Sequence, residues 1–321
     1  MPNTNDKFRQ SLTSGLAKGW SGFVWMLKIL LPISLLTSLL AWSNWINSLD
    51  FLLEPVMGVV GLPPMAAIPL VAGLLTGIYG GIAAMASLTL TVDQMTLLAI
   101  FLLISHNLIQ EGVIQSKSGL PFIKATLVRL VASIFTVIVV SRFIGHETAT
   151  NALTDAPVII QATFFSMVKT WTVTTLVLSG KMLVIVMMLM LILEFMKSYN
   201  LIDHVVSMMA PVLKVFGLRK QTGFLWITAA IFGLTYGAAV IVEEAKEGKF
   251  SEDELERLQL SIGINHSIIE DPVVFLSLGI GPFWLFVPRL AAAIIAVQLF
   301  IIIKRLISLP CFPKFLLWQK K

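Results

Sequence analysis

The sequence predicts an all-α, polytopic membrane protein built from two homologous, inverted repeats with broken or re-entrant helices. Three observations predict it. The 321 residues are 57% hydrophobic and 13% charged, with a mean hydropathy of +0.88, whereas a soluble domain carries about 25% charged residues. Apolar runs that approach or exceed the roughly 20 residues needed to cross a bilayer occur at Phe23–Ala41, Ala66–Ala86, Phe122–Val140, Met182–Leu193, Phe224–Val242 and Phe283–Ile303. The chain also contains a second copy of part of itself, because residues 54–134 align with 210–294 through one four-residue insertion.

The duplication matches specific residues. Glu54-Pro55-Val56-Met57-Gly58-Val59-Val60-Gly61-Leu62 runs parallel to Ala210-Pro211-Val212-Leu213-Lys214-Val215-Phe216-Gly217-Leu218. At the same offset Gly77-x-x-x-Gly81-x-Ala83 falls on Gly233-x-x-x-Gly237-x-Ala239. Past the insertion, Ser105-His106-Asn107-Leu108-Ile109-Gln110-Glu111 falls on Asn265-His266-Ser267-Ile268-Ile269-Glu270-Asp271, and Arg129-Leu130 on Arg289-Leu290. Duplicated transporters share one site at the repeat interface.

These matches divide the chain into an N-terminal cytoplasmic segment (1–22), repeat 1 (23–145), a connecting segment (146–180), repeat 2 (181–303) and a basic tail (304–321). Repeat 1 reads as Phe23–Trp42, a short helix at Leu49–Gly61 interrupted by Pro55, a Gly-rich helix at Ala66–Leu88, a His-bearing helix at Met95–Val113, and Pro121–Ile144. Repeat 2 reads as Met182–Lys197, Val205–Gly217, Gly223–Val242, Leu258–Phe275 and Gly281–Ile303. Between them, Thr163, Lys169, Thr170, Thr172, Thr174 and Thr175 make 156–179 too polar for a plain lipid-facing span, so it reads as an extra crossing or an interfacial helix. An odd number of crossings between equivalent helices inverts the second repeat. Lys214, Arg219 and Lys220 favour one orientation of it, Lys304 and Arg305 the other. The hydrophilic loop Glu243–Arg257 holds Ser251 and Glu254 at capping-box spacing. Glu243 and Glu244 end the Gly-rich helix, where they are expected to face an access route.

The net charge of +5 comes largely from Lys7, Arg9 and Lys18 at the front and Lys304, Arg305, Lys314, Lys320 and Lys321 at the back. Such clusters suit cytoplasmic flanks beside anionic lipid and exclude a nucleic-acid partner. The first twenty residues lack a cleavable signal pattern, so targeting is expected through the first membrane helix. The single Cys311 excludes an internal disulfide or a multi-cysteine metal site.

The chemistry is expected where polar residues enter apolar helices. His266 and Glu270, four residues apart, would share one helix face, and Asp271-Pro272 would end that helix and free its carbonyls. His106 and Gln110 repeat the spacing, with Glu111 in the place of Asp271 and Gly112 as the breaker. Asn107 and Ser267 add a small polar group to each segment, and Asn265 another. Ionisable residues at bilayer depth cost several kcal/mol unless paired or hydrated, and irregular backbone is tolerated there only when buried or lining a cavity. Arg129 and Arg289 call for buried partners, which the carboxylates of the broken segments would supply. Gly77, Gly81, Gly233 and Gly237 read as close-packing faces that double as the seam or hinge between moving parts, with Tyr79 and Tyr236 at the break.

Three ligands suit this set. A divalent metal (Fe, Mn or Zn) would take His106, Glu111, His266, Glu270 and Asp271, and no other cofactor is expected. Protons would ride on the same His and Glu groups. A polar solute such as a nucleoside would be held by Asn107, Gln110, Asn265 and Ser267.

On Gly233-Leu234-Thr235-Tyr236-Gly237 leading to Glu243-Glu244, and on Asn265-His266-Ser267-Ile268-Ile269-Glu270-Asp271-Pro272, the chain resembles the gate, or nucleoside-recognition, membrane family. That family includes the spore-maturation membrane proteins and the core of the B-type ferrous-iron permeases, with a distant relation to concentrative nucleoside transporters. The resemblance covers most of residues 23–303 and implies a permease-like fold. No phosphate-cradling Gly-x-x-x-x-Gly-Lys-Ser/Thr loop is present, so it does not extend to GTP-gated iron uptake.

The expectation is a permease of a bacterial or archaeal cytoplasmic (inner) membrane, moving a small polar solute or cation with proton or ion coupling. The alternatives are a divalent-metal permease without a GTPase domain and a non-transporting scaffold or assembly factor. Lipid and the transported species are the expected partners, and a homodimer is compatible with them. An enzyme is not expected. There is no His-Glu-x-x-His pair or nucleophile elbow, and Ser267 diverges from adjacent His266 by about 100° on a helix.

Overall fold

The structure, a computed structural model, describes residues 4–43, 50–144, 163–199, 201, 204, 207–219, 222–223, 225–231, 233, 241 and 250–307. The first half runs through α1 (Thr4–Trp42), α2 (Asp50–Val59), a 3₁₀ turn (Pro64–Ala66), α3 (Ala67–Thr76), α4 (Ile78–Met85), α5 (Val92–Ser105), α6 (Leu108–Lys117) and α7 (Phe122–Val140). The second runs through α8 (Phe164–Ser198), α9 (Ala210–Val215), α10 (Glu252–Ile264), α11 (Glu270–Leu276) and α12 (Pro282–Ile307). No strand occurs among the described residues. Five helices are long and apolar enough to cross a membrane: Asp6–Trp42, Val92–Lys117, Phe122–Val140, Phe164–Ser198 and Pro282–Leu306. The pair Leu53–Val59 and Pro64–Thr76, bent by 81°, makes a sixth if counted as one broken span. This is an all-α multi-pass membrane protein.

The helix starting at Met182 in the sequence reading begins at Phe164, so the Thr-rich stretch 164–179 is the first half of one continuous 35-residue helix. Its hydroxyls are absorbed locally, as where Thr172 donates to the carbonyl of Val168. α1 and α8 lie antiparallel along each other. At one end Lys18 meets Glu194 at 2.7 Å and Ser14 donates to Glu194 at 2.9 Å. At the other, Trp171 Nε1 donates to Ser34 at 3.1 Å. Gly15 and Gly19 let α1 close on Leu191 and Met187, where a Cβ would collide. At 1.5 Å per residue both helices outrun the roughly 30 Å hydrocarbon core.

Inside this pair the helices break. The Gly-rich helix is not continuous through 66–88. Gly77, at φ 90° and ψ −175°, separates α3 from α4 in a conformation essentially reserved for glycine. Gly77 and Gly81 therefore do not form one packing ridge. Instead Gly73 and Gly81, on either side of the break, both close on Leu102 of α5, where added methyls would clash. α5 is the central post, with every residue from Thr96 to Ser105 buried, as expected of a helix apolar on all sides.

The described end of the polar loop, from Phe250 on, packs onto its neighbours. Ser251 caps α10 by accepting from the amide of Glu254. Glu254 does not reach back to complete the capping box; its carboxylate takes bonds from Arg219 and Thr222. Lys304 at the end of α12 pairs with Asp253 at 2.8 Å, and Lys124 at the start of α7 pairs with Glu256. Arg219 and Lys304, read from the sequence as favouring opposite orientations, thus meet the same acidic turn on one side. The start of α7 also lies beside the end of α12, with Lys124 Nζ 5.0 Å from the Phe300 ring centroid.

Candidate functional site

Two helix breaks build the site. α5 ends at Ser105, and Asn107 turns the chain through the left-handed region at φ 49° before α6 begins. α10 ends at Ile264, and Ser267 does the same at φ 46° before α11. Left-handed geometry is mildly costly for Asn and more so for Ser, and backbone bonds to Gly73 and Ala230 hold the two turns. Asn107 N donates to Gly73 O at 2.9 Å, and Ile268 N donates to Ala230 O at 2.7 Å.

Because of these breaks, the i,i+4 face expected for His266 and Glu270 does not exist. Glu270 turns aside to accept from Tyr79 Oη at 3.0 Å. Gln110 likewise leaves His106 and accepts from Asn107 Nδ2 at 3.0 Å, on an exposed surface. Gly112 is no breaker, since it lies within α6 facing the Phe122 ring. Pro272 opens a helix instead of ending one, in the first turn of α11 where its missing N–H costs no bond. The acidic residues therefore sit at helix N-termini, where the macrodipole favours them.

The breaks bring the two histidines together. Their ring centroids are 5.0 Å apart and the Nε2 atoms 3.3 Å. His106 Nδ1 lies 2.8 Å from Leu102 O, and His266 Nδ1 lies 2.8 Å from Ile262 O. A carbonyl only accepts, so Nδ1 carries the hydrogen in both rings, and each neutral ring turns a lone pair at Nε2 toward the other. Glu111 Oε1 is 3.0 Å from His106 Nε2 and 3.3 Å from His266 Nε2. Asp271 Oδ2 stands 3.8 Å from His106 Nε2. Facing lone pairs beside a carboxylate require positive charge among them, carried by a proton or a metal ion.

Both arginines enter from the next helix and cap the broken ends. Arg129 Nε donates to Ile104 O at 2.9 Å, its Nη2 donates to His106 O at 2.6 Å, and the same nitrogen pairs with Glu111 Oε2 at 2.7 Å. Arg289 Nε donates to Ile264 O at 2.8 Å, with Asp271 Oδ2 3.9 Å from its Nη2. Aspartate is one methylene shorter than glutamate, so Asp271 reaches neither Arg289 nor His106. Its Oδ2 and both terminal nitrogens of Arg289 are buried without a hydrogen-bond partner.

Of the sequence-predicted residues, His106, Glu111, Arg129, His266, Asp271 and Arg289 form one buried cluster. Asn107 and Ser267 shape it through their backbones, and Ser267 Oγ would lie 2.9 Å from a Cβ on Gly233. Asn265 is buried at the end of α10. Gln110 and Glu270 lie outside it, while Gly237, Glu243 and Glu244 fall outside the described residues. The sequence placed Tyr79 at the Gly break but did not indicate its bond to Glu270. It missed Gln115 of α6, which donates to Gln259 O of α10 at 2.8 Å, and nothing in the sequence marked that pair. Cavities of about 650 Å³ and 390 Å³ flank α8, and no residue of the cluster lines either one.

The fold and the buried ionic cluster define a multi-pass α-helical membrane protein. Over 277 residues the chain is 30% identical to a Bacillus subtilis (strain 168) protein described as "Uncharacterized membrane protein YvoD", an alignment covering 84% of this chain and 87% of that one. The chain belongs to this membrane-protein family. No family model matches it, and no solved structure does.

Proposed function

We propose that the protein is a permease, not an enzyme, that carries a small polar solute or cation through a site shared by two inverted repeats, with proton or ion coupling, in the cytoplasmic membrane of a prokaryote. The observation that carries this reading is the meeting of His106 and His266, from two separately broken helices, at 3.3 Å in a buried ionic cluster. Broken helices converging on polar groups inside the bundle are how transporters build a site at bilayer depth.

Inversion draws support from pairs of corresponding elements. α1 and α8, first in each half, run antiparallel, and the start of α7 lies beside the end of α12. Corresponding residues share backbone signatures: positive φ at Gly61 and Gly217, Gly77 and Gly233, Asn107 and Ser267. The likeness to the gate family points the same way. Against a scaffold stands the cost of burying two guanidiniums and two carboxylates with several polar atoms unpaired, which packing alone does not require.

Reconstituted proteoliposomes test the reading, using an internal pH dye for protons and panels of divalent ions and nucleosides as solutes. Wild type should show flux above empty liposomes, and His266→Gln should cut it at least tenfold at unchanged yield of folded protein. Wild-type flux equal to the empty control, or full flux in His266→Gln, overturns the permease in favour of a scaffold.

A further inference from the structure

We infer that the cluster is a transition-metal site whose ligands are His106 Nε2, His266 Nε2 and Glu111 Oε1, with Asp271 as the fourth. The inference deepens the permease reading by assigning the chemical class of the ion. The three ligand atoms form a triangle with edges of 3.0, 3.3 and 3.3 Å. With metal bonds of about 2.0–2.2 Å, neighbouring ligands stand about 3 Å apart at right angles and about 3.4 Å apart at tetrahedral angles. The triangle therefore has the dimensions of one face of a coordination polyhedron.

A hydrogen-bond account fits less well. One proton on one Nε2 satisfies a single edge and leaves the other imidazole lone pair facing a carboxylate. A cation seated just above the plane of the triangle bonds all three atoms at once. The surroundings are those of a ligand set as well. Each Nδ1–H is fixed by a backbone carbonyl, and the second oxygen of Glu111 is held by Arg129, the outer contacts that orient metal ligands. Asp271 Oδ2 is buried and without a partner, and a carboxylate oxygen of Asp271 lies within 4.8 Å of a ring nitrogen of each histidine.

The donor set chooses the metal. Two imidazoles and two carboxylates suit Fe(II), Mn(II) or Zn(II). The absence of thiolate or thioether among them disfavours Cu(I), and the two nitrogens disfavour Mg(II) and Ca(II). Arg129 stands 2.7 Å from Glu111 and Arg289 3.9 Å from Asp271, and this like charge beside the ion loosens its hold. Conduction needs an ion that can also leave.

The test uses purified full-length protein with Co(II) as a visible probe. We expect ligand-field absorption saturating at one Co(II) per chain, displaced by Zn(II) but not by millimolar Mg(II) or Ca(II). His106→Gln and His266→Gln should abolish the spectrum. Arg129→Lys, which disturbs only the outer contacts, should weaken affinity by about 10–100-fold. His204→Ala, at an exposed position, should change nothing. Should a histidine variant fail to fold, Glu111→Gln keeps volume and can still accept from Arg129, and it too should lose the spectrum. No saturable spectrum in wild type, or an unchanged one in Glu111→Gln, overturns the metal site. Proton flux without Co(II) binding sinks the metal while keeping the permease. Co(II) binding without flux of any solute does the reverse.

Discussion

Arg129 is 2% exposed and makes three simultaneous contacts, to Ile104 O, His106 O and Glu111. Replacing it with Met would leave Glu111 buried without its counter-charge, a loss of about 3–5 kcal/mol. Arg129→Lys keeps the charge, but a single ammonium cannot reproduce the planar fork that spans both carbonyls and the carboxylate. The lysine variant should melt between wild type and Arg129→Met in detergent thermal unfolding. Equal melting of Met variant and wild type would show that Glu111 does not depend on Arg129. At this scale the sequence was informative where an ionisable residue stood in an apolar run in both halves, which singled out both histidines and both arginines. It misled over Glu270. Helical spacing joined that carboxylate to His266, but Ser267 in the left-handed region rotates it away to Tyr79. A single backbone conformation decided the matter, and neither composition nor periodicity records one.

At the scale of elements, apolar runs marked the helices well, since length and hydropathy are summed over many residues. Their breaks were poorly legible. Proline at 272 suggested an end where the fold has a beginning, and the break of the Gly-rich helix fell at one glycine among several. Gly77→Ala tests that assignment. Its φ of 90° and ψ of −175° should make alanine cost about 1–3 kcal/mol through strain alone, although no atom lies closer than 3.8 Å to the added methyl. Gly58→Ala, with open space around it, is the control and should be near neutral. The start of α10 gives a pH prediction. Burial pushes the carboxyl of Glu254 up, but the bonds from Arg219 and Thr222 prevail and hold it below the ordinary glutamate value of 4.5. A folded-state value depressed in this way contributes stability above the unfolded value, and the contribution is lost as pH falls through the folded one. Glu254→Gln should therefore melt below wild type at pH 7, with the two converging below about pH 4. A gap of constant size down to pH 3 would mean the carboxylate is not the active partner.

Across the whole molecule, the site exists only while the two chain halves are docked, because His106 and Glu111 come from one and His266 and Asp271 from the other. The sequence indicated two matching halves but could not indicate how they touch, since contacts between α6 and α10 leave no periodic trace. Gln115 and Gln259 hold that seam. Gln115 donates to Gln259 O at 2.8 Å, Gln259 Nε2 donates to Ser118 Oγ at 2.8 Å, and both side chains are fully buried. Deleting one amide strands its neighbours' polar groups in a dry interface, which costs about 1–3 kcal/mol, whereas replacing both by apolar groups of similar shape can be close to neutral. Gln115→Leu and Gln259→Leu should each lower the unfolding free energy, and the double variant should lose less than the sum, with a coupling of about 0.5–3 kcal/mol. Because a loosened seam also separates the two histidines, cation occupancy should follow the same order, lower in each single variant and recovered in the double. Strict additivity in stability would show that the amides act independently. Coupled stability with unchanged occupancy would show that the seam and the ion site do not communicate, and the docking of the halves would then not be what assembles the cluster.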